Sequence, residues 1–332
     1  MSRTVESADG GIKFEDLSGV EIKPGENPYD ALIDACHGEP AKIQSLYATH
    51  RTTRNAHQRD KFLSPSFKEL TIDPYLLRLE NPGIEPGFQD PRHCLVFWAR
   101  PPEHILKLAS HLQAALQKAA PNLWLMPAHR MHMTTLEIAH SQTPEVIASL
   151  VSSLRPVIPR LTSLPATRRA RLVKPLLSYD TSAIAMSFVP ASGEEVLSPA
   201  PTPPHREDIM HPGLPDGNTD ESDRYTYHHL RRDVFNIAQE TGVTIGSRYV
   251  VPSAHITLAR YLTQDDHATP ELRARWIRTI ENINSWLENE VWGVKDGEFV
   301  AEWIVGQERG LDARNGTLWY GGGRTIMVGE GF

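Results

Sequence analysis

The chain has 332 residues, a formal net charge of −7 at pH 7 and only two cysteines. This length allows one large domain or two ordinary ones, and the net negative charge provides no overall field that would attract long nucleic acid. Two cysteines without a C-x-x-C pair exclude a disulfide framework, and no apolar run approaches the roughly 20 residues that cross a bilayer.

The first part of the chain predicts an N-terminal extension over residues 1–90. It is rich in proline, glycine and charge, and only segments such as 30–36 and 42–49 predict short helices. Its start lacks the apolar segment of a secretory signal. We therefore expect a cytoplasmic protein, with a nuclear location as the alternative, and an extension that wraps the outside of the main domain.

Regular patterns begin at residue 91 and continue to the C-terminus. A proline-rich stretch over 190–223 interrupts them and predicts an inserted loop. Before this stretch, apolar periodicity predicts strands at 92–100, 130–136, 171–177 and 183–189 and helices at 103–119 and 144–157. After it, the pattern predicts helices at 225–241 and 270–290 and strands at 253–261, 299–305 and 317–328.

The order of helix, strand and helix is thus similar on the two sides of the insertion. It predicts an α+β fold over residues 91–332 in which two lobes, related by a pseudo-twofold axis, carry duplicated antiparallel sheets with helices on the outside. The strands at 130–136 and 253–261 are expected to line a central cleft between the lobes.

A short motif occurs once in each of these two strands. The tripeptide His-Met-Thr at 132–134 recurs as His-Ile-Thr at 255–257. Successive side chains of a strand point to opposite faces, so the histidine and the threonine of each copy share a face. Two such strands facing one pocket would bring together two imidazoles and two hydroxyls, which suits acid–base chemistry on a phosphate ester.

The neighbours of the motifs follow the same alternation. Arg130 is expected on the face of His132, and Tyr261 on the face of His255, where it packs at the edge of the cleft or stacks on a nucleobase of the substrate. The opposite faces are expected to enter the core through Met131, Met133, Ile256 and Leu258.

With these two motifs the sequence resembles the two-histidine (2H) phosphoesterase superfamily, the RNA ligase/cyclic nucleotide phosphodiesterase-like proteins. The resemblance covers roughly two thirds of the chain, and the N-terminal extension and the 190–223 insertion fall outside it. It implies metal-independent cleavage of phosphodiesters, especially 2′,3′-cyclic phosphates of nucleotides or RNA ends, with no cofactor. Small nucleotides or RNA ends are the expected partners, without long nucleic acid or membrane, and the sequence does not indicate an oligomeric state.

The resemblance also assigns roles to the residues of the motifs. It implies that His132 and His255 share the work of general base and general acid, without distinguishing between them. Thr134 and Thr257, together with Arg130, would bind the nonbridging oxygens of the phosphate. A bell-shaped pH profile and a loss of about 10²-fold or more on either His→Ala change are expected.

Two other interpretations remain open at this point. The 15 histidines permit a metal-dependent hydrolase, although no H-E-x-x-H pattern or carboxylate-rich ligand set accompanies them. A noncatalytic module that binds a nucleotide or a partner protein on the same fold is the third interpretation. The histidines considered for a metal site are His129, His132, His140, His205, His211, His228 and His229.

Overall fold

Two antiparallel sheets with helices on their outer sides form the α+β fold of the computed structural model, which describes residues 19–21, 26–197 and 223–332. The predicted fold class is confirmed at this level. Most of the predicted 190–223 insertion lies outside the described residues, as do parts of the N-terminal extension. Within the described ranges, no helix combines the length and the apolar character that a bilayer crossing requires.

The elements are labelled in chain order. The helices are α1 (Asp30–Ala35), α2 (Pro40–Leu63), α3 (Pro74–Glu80), α4 (Glu103–Ala119), α5 (Pro144–Leu154), α6 (Ile158–Thr167), α7 (Tyr227–Gln239) and α8 (Pro270–Trp286), with a π-helical turn at Leu287–Val291 and 3₁₀ turns at Ala128–Arg130 and Asp265–His267. The strands are β1 (His93–Ala99), β2 (Leu123–Leu125), β3 (Met133–Gln142), β4 (Ala170–Tyr179), β5 (Ala183–Pro190), β6 (Ala254–Tyr261), β7 (Glu302–Val305), β8 (Asp312–Gly316) and β9 (Arg324–Val328).

The two histidine motifs lie in different sheets. The four-stranded sheet has the order β3-β1-β8-β9, and His132 directly precedes its edge strand β3. The five-stranded sheet has the order β2-β6-β5-β4-β7, and His255 lies near the start of β6, opposite Ser187 of β5. Strand β3, Met133–Gln142, begins three residues after the predicted strand at 130–136 and ends six residues after it.

The N-terminal region contributes a long helix that the sequence pattern predicts only in part. Helix α2 has 24 residues, with Pro40 at its first position and Ser64, whose backbone is extended before Pro65, at its end. Its buried side carries Ile43, Tyr47 and Phe62, which join the same hydrophobic core as the sheets. Between Tyr47 and Phe62 the apolar residues are two alanines, Ala48 and Ala56, so the apolar period is interrupted after residue 49 and the prediction ends there.

A buried ion network joins the two ends of the segment that the structure leaves undescribed. Arg171 on β4 contacts Asp223 at 2.7 Å and Glu302 at 2.6 Å, and it donates a hydrogen bond of 2.7 Å to the backbone oxygen of Glu194. Arg171, Asp223 and Glu302 are each at most 5% exposed. The guanidinium therefore compensates two carboxylates that burial would otherwise destabilise.

We expect Arg171→Met to lower the free energy of unfolding by about 3–5 kcal/mol, because it leaves two buried carboxylates without their cation. Urea denaturation at pH 7 measures this loss. Arg160→Met is the matched control, since the Arg160 ion pair with Glu240 is exposed on both sides and should change stability by less than about 1 kcal/mol. Equal midpoints for the two variants would contradict the role given to Arg171.

Candidate functional site

His132 is held in a fixed orientation by two neighbours. Its ring stacks on Trp98 of β1, with 3.7 Å between the ring centroids and 16° between the planes. Its Nδ1 lies 2.8 Å from the backbone oxygen of Arg130. Because a carbonyl oxygen can only accept, Nδ1 carries the hydrogen, and Nε2 of the neutral ring keeps a free lone pair.

The side chain of Arg130 does not take the position that the alternation predicts. Arg130 ends the 3₁₀ turn that begins after Pro127, so it precedes the strand and the strand parity does not apply to it. Gly321, in the turn between β8 and β9, packs against it: a Cβ there would lie 2.6 Å from both Cβ and O of Arg130. Arg130 is not among the described residues that line the two cavities below, and its hydrogen bond with His132 is made by its backbone oxygen.

The hydrogen-bond partner of His255 does not fix the tautomer of its ring. Its Nδ1 lies 3.0 Å from Oγ of Ser253, and a hydroxyl can either donate or accept. The hydrogen bond to Ser253 is therefore compatible with either neutral tautomer and with the imidazolium. The ring of Tyr249 lies beside it, with 6.1 Å between the centroids.

Two adjoining cavities contain the motif residues. The cavity that we call the His132 cavity has a volume of about 350 Å³, and His132, Thr134, Trp98 and Trp319 are among its lining residues. The His255 cavity has a volume of about 110 Å³ and is lined by His255 and by residues of α2. Both cavities share four lining residues, which are Ser182, Tyr249, Thr257 and Arg260.

A β-bulge in β6 decides which residues after Thr257 face the cavities. Ile184 pairs with Ala259 and Ala185 with Thr257, so Leu258 is an extra residue and the alternation shifts by one position. Arg260 therefore lines both cavities, whereas Tyr261 is 1% exposed in the core. The predicted position of Tyr261 beside His255 is wrong for this reason. Its hydroxyl instead accepts a hydrogen bond from Trp276 at 3.2 Å.

The alternation predicts the other faces of the motifs correctly. His132, Thr134, His255 and Thr257 are partly exposed. The four residues expected in the core are at most 1% exposed, and they are Met131, Met133, Ile256 and Leu258.

Two arginines that the motif pattern does not indicate, Arg248 and Arg260, line the His132 cavity. Arg248 is neutralised by Glu137, which accepts from Nε at 2.9 Å and from Nη2 at 2.6 Å. Arg260 has no hydrogen-bond or ion-pair partner among the described residues, and its Nε is buried. The guanidinium of Arg260 is thus available to an anion at the boundary between the cavities.

Burial lowers the pKa of both motif histidines. The pKa of His132 is lowered to about 3, chiefly by desolvation, and Arg100 and His255 add to this effect. The pKa of His255 is lowered to about 4, again chiefly by desolvation, with Arg54 as the largest charge contribution. Both rings are therefore neutral at pH 7 in the free protein.

The adjacent histidines of α7 have structural contacts. His228 is 1% exposed and contacts the hydroxyl of Tyr47 at 2.8 Å and the backbone oxygen of Tyr29 at 3.1 Å. His229 takes part in the N-terminal capping box of α7 with Thr226. In the described part of the chain, no three His, Cys, Asp or Glu side chains are grouped to hold a metal ion. His205 and His211 lie outside the described residues.

Comparison with known proteins gives no family assignment. No family model matches the sequence, and no curated protein matches it. Among solved structures, the chain is similar to the protein TT0787 of Thermus thermophilus, with 16% sequence identity and a TM-score of 0.40. The match covers 71% of this chain and 96% of that one.

Proposed function

We propose that this protein is a metal-independent phosphodiesterase of the 2H type that hydrolyses 2′,3′-cyclic phosphates of nucleotides or RNA ends. The observation that carries the proposal is that residues of both motifs line adjoining cavities, which meet at Thr257 and Arg260. In this proposal the two sheets belong to two lobes related by a pseudo-twofold axis, and the reacting phosphate occupies the boundary between the cavities.

The hydrogen bonds of the two imidazoles favour different roles for them. His132 is held as the tautomer with a free Nε2, which suits a general base that takes a proton from water. As the imidazolium, His255 carries hydrogens on both ring nitrogens, so Nδ1 donates to Oγ of Ser253 while Nε2 can donate to the departing ribose oxygen, which suits a general acid. Attack of water on phosphorus then breaks the bond to one ribose oxygen and leaves a phosphate monoester.

Arg260 takes the role that the sequence analysis gives to Arg130. A guanidinium without a carboxylate partner can donate to the nonbridging oxygens, whose negative charge increases in the transition state. Thr134 and Thr257 add hydroxyl donors beside it. Arg248 contributes less net charge because Glu137 neutralises it.

Substrate binding supplies the protonated histidine. Both rings are neutral at pH 7 because burial lowers their pKa values, and a phosphate anion close to the ring of His255 raises its pKa by favouring the charged form. We therefore expect the bell-shaped pH profile of kcat, which reports the pKa values of the enzyme–substrate complex, to have its maximum below about pH 6.5, the ordinary pKa of imidazole.

We expect the protein to hydrolyse nucleoside 2′,3′-cyclic monophosphates in the presence of excess chelator, at the rate seen without it. Product formation with and without chelator measures this. Loss of activity on chelation, restored by added divalent metal, would select the metal-dependent hydrolase instead. Binding without turnover, unchanged in a His132→Ala/His255→Ala double variant, would select the noncatalytic binding module.

A further inference from the structure

The His255 cavity is lined by more positive than negative side chains. Helix α2 directs Arg51 and Arg54, which are three positions apart and therefore neighbours on the helix surface, to this cavity. Arg260 of β6 is the third arginine. Asp180 is the one carboxylate among the described lining residues, so the arginines leave a surplus of positive charge.

The contacts of these arginines leave donors free. Arg54 pairs with Asp180 at 2.5 Å. Arg51 is 7% exposed and, among the described residues, donates to the backbone oxygens of Lys174 at 2.7 Å and Ser187 at 3.4 Å and forms no ion pair, although the charge of Glu288 acts on it from a longer distance. Nε of Arg51 and Nε of Arg260 are buried without a hydrogen-bond partner among the described residues.

Such buried, unpaired donors are unfavourable unless an acceptor reaches them. The cost of burying the guanidinium of Arg51 is visible in its pKa, which burial lowers to about 10. An anion with several acceptor oxygens would satisfy both the free donors and the surplus charge, and a phosphate group has these properties.

The His132 cavity differs in character. It is larger, and two tryptophans, Trp98 and Trp319, are among its lining residues, whereas the His255 cavity has no tryptophan among its described lining residues. Aromatic rings provide stacking surfaces for a nucleobase. The two indoles thus lie on the His132 side of the Thr257–Arg260 boundary, and Arg51 and Arg54 lie on the His255 side.

We infer that the His255 cavity is a second anion subsite, which binds a phosphate of the substrate other than the one that reacts. The inference rests on the proposed function for the position of the reacting phosphate. The preferred substrate is then a nucleotide with a further phosphate on its 5′ side, as at the 3′ end of an RNA chain. The N-terminal region thus supplies part of the substrate site through α2.

Two pairs of ligands test this inference in the full chain. Binding is measured by calorimetry for adenosine 3′,5′-bisphosphate against adenosine 3′-monophosphate, which needs no turnover. Hydrolysis is measured for adenosine 2′,3′-cyclic phosphate with and without a 5′-phosphate. In both pairs we expect the additional phosphate to improve affinity or kcat/KM by about 10-fold or more, because it accepts charge-assisted hydrogen bonds. This improvement should be smaller at high salt, which screens the charges.

Variants then locate the effect. Arg51→Met and Arg54→Gln should each lower the ratio of affinities, and of kcat/KM values, with and without the additional phosphate toward one. Because Arg54 is partly exposed, its variant provides a test even if the change at the buried Arg51 makes the protein unstable. Asp180→Asn should increase the preference, because it removes the opposing charge while its amide oxygen can still accept from the 182–183 backbone. Arg59→Gln is the matched control, since Arg59 lies on α2 but pairs with Glu281 at the surface.

The outcomes separate the two proposals. Turnover of cyclic phosphates without any preference for the 5′-phosphate would overturn the subsite and leave the proposed function standing. A binding preference that disappears in the Arg51 and Arg54 variants, without turnover of any cyclic phosphate, would support the subsite and overturn the function. A preference that persists in all variants would also overturn the subsite.

Discussion

Replacing either His132 or His255 by alanine is expected to lower the turnover of 2′,3′-cyclic nucleotides by about 10²-fold or more. Each change removes one of the two groups that move protons in the proposed reaction. The alanine variant of His132 lacks the Nε2 base, and that of His255 lacks the acid for the leaving oxygen. Initial rates with saturating substrate, measured on variants whose thermal unfolding resembles the parent, test this.

His57→Ala is the control for these variants. His57 lies on the exposed side of α2 and lines neither cavity, so turnover should stay within about twofold of the parent. Undiminished turnover in the His132 and His255 variants would remove both from the mechanism. A large loss in only one of them would mean that the other serves binding or folding.

The free energy of unfolding is expected to fall steeply between about pH 6.5 and pH 4. Burial lowers the pKa of five histidines, to about 3 or 4 for four of them and well below the ordinary value for His228; they are His132, His228, His229, His255 and His267. The unfolded chain binds these protons near pH 6.5, whereas the folded chain binds them only at lower pH, near pH 4 for His229, His255 and His267 and near pH 3 for His132. Acid therefore favours the unfolded state throughout this window.

The size of this loss in the free energy of unfolding follows from the lowered pKa values. At pH 5 each histidine costs about 2 kcal/mol, and the five together cost about 10 kcal/mol at most, which is comparable to the whole stability of about 5–15 kcal/mol that a domain has. Urea denaturation at pH 7, 6 and 5 measures the loss. Equal midpoints at pH 7 and pH 5 would contradict the buried, neutral state of these rings.

His267 allows the contribution of one histidine to be isolated. It is 3% exposed, lies against Phe62, Tyr261 and Trp276, and neither of its ring nitrogens has a hydrogen-bond partner among the described residues. Between pH 7 and pH 5, the free energy of unfolding of His267→Leu should therefore fall by about 2 kcal/mol less than that of the parent. His57→Gln, at an exposed position, should retain the pH dependence of the parent.

Local periodicity was sufficient to predict much of the fold and one face of each motif strand. It failed at the bulge, because Leu258 and Ala259 are both apolar and the sequence has no glycine or proline to mark the extra residue. The alternation consequently predicts Tyr261 on the wrong face and does not indicate Arg260. The sequence does place Arg260 between the apolar residues Ala259 and Tyr261, but an arginine in such a position more commonly lies on a solvated surface than in a binding site.

The contribution of α2 could not be predicted for a related reason. Its positions 50, 51 and 54 continue the buried side of the helix with polar residues, which interrupt the apolar stripe. Polar residues on the inner side of a helix are unusual unless they are paired or serve a site. The lowered pKa values of His132 and His255 were likewise beyond the sequence, because desolvation depends on how the sheets and α2 enclose the rings.

A double-variant cycle shows whether the two imidazoles act on the same phosphodiester. The turnover of 2′,3′-cyclic adenosine monophosphate is measured for the parent, for His132→Ala, for His255→Ala and for the double variant. If the rings act as one catalytic unit, the double variant should be no more than about threefold slower than the slower single variant. Losses that multiply in the double variant, or that are absent from either single variant, would contradict this joint action.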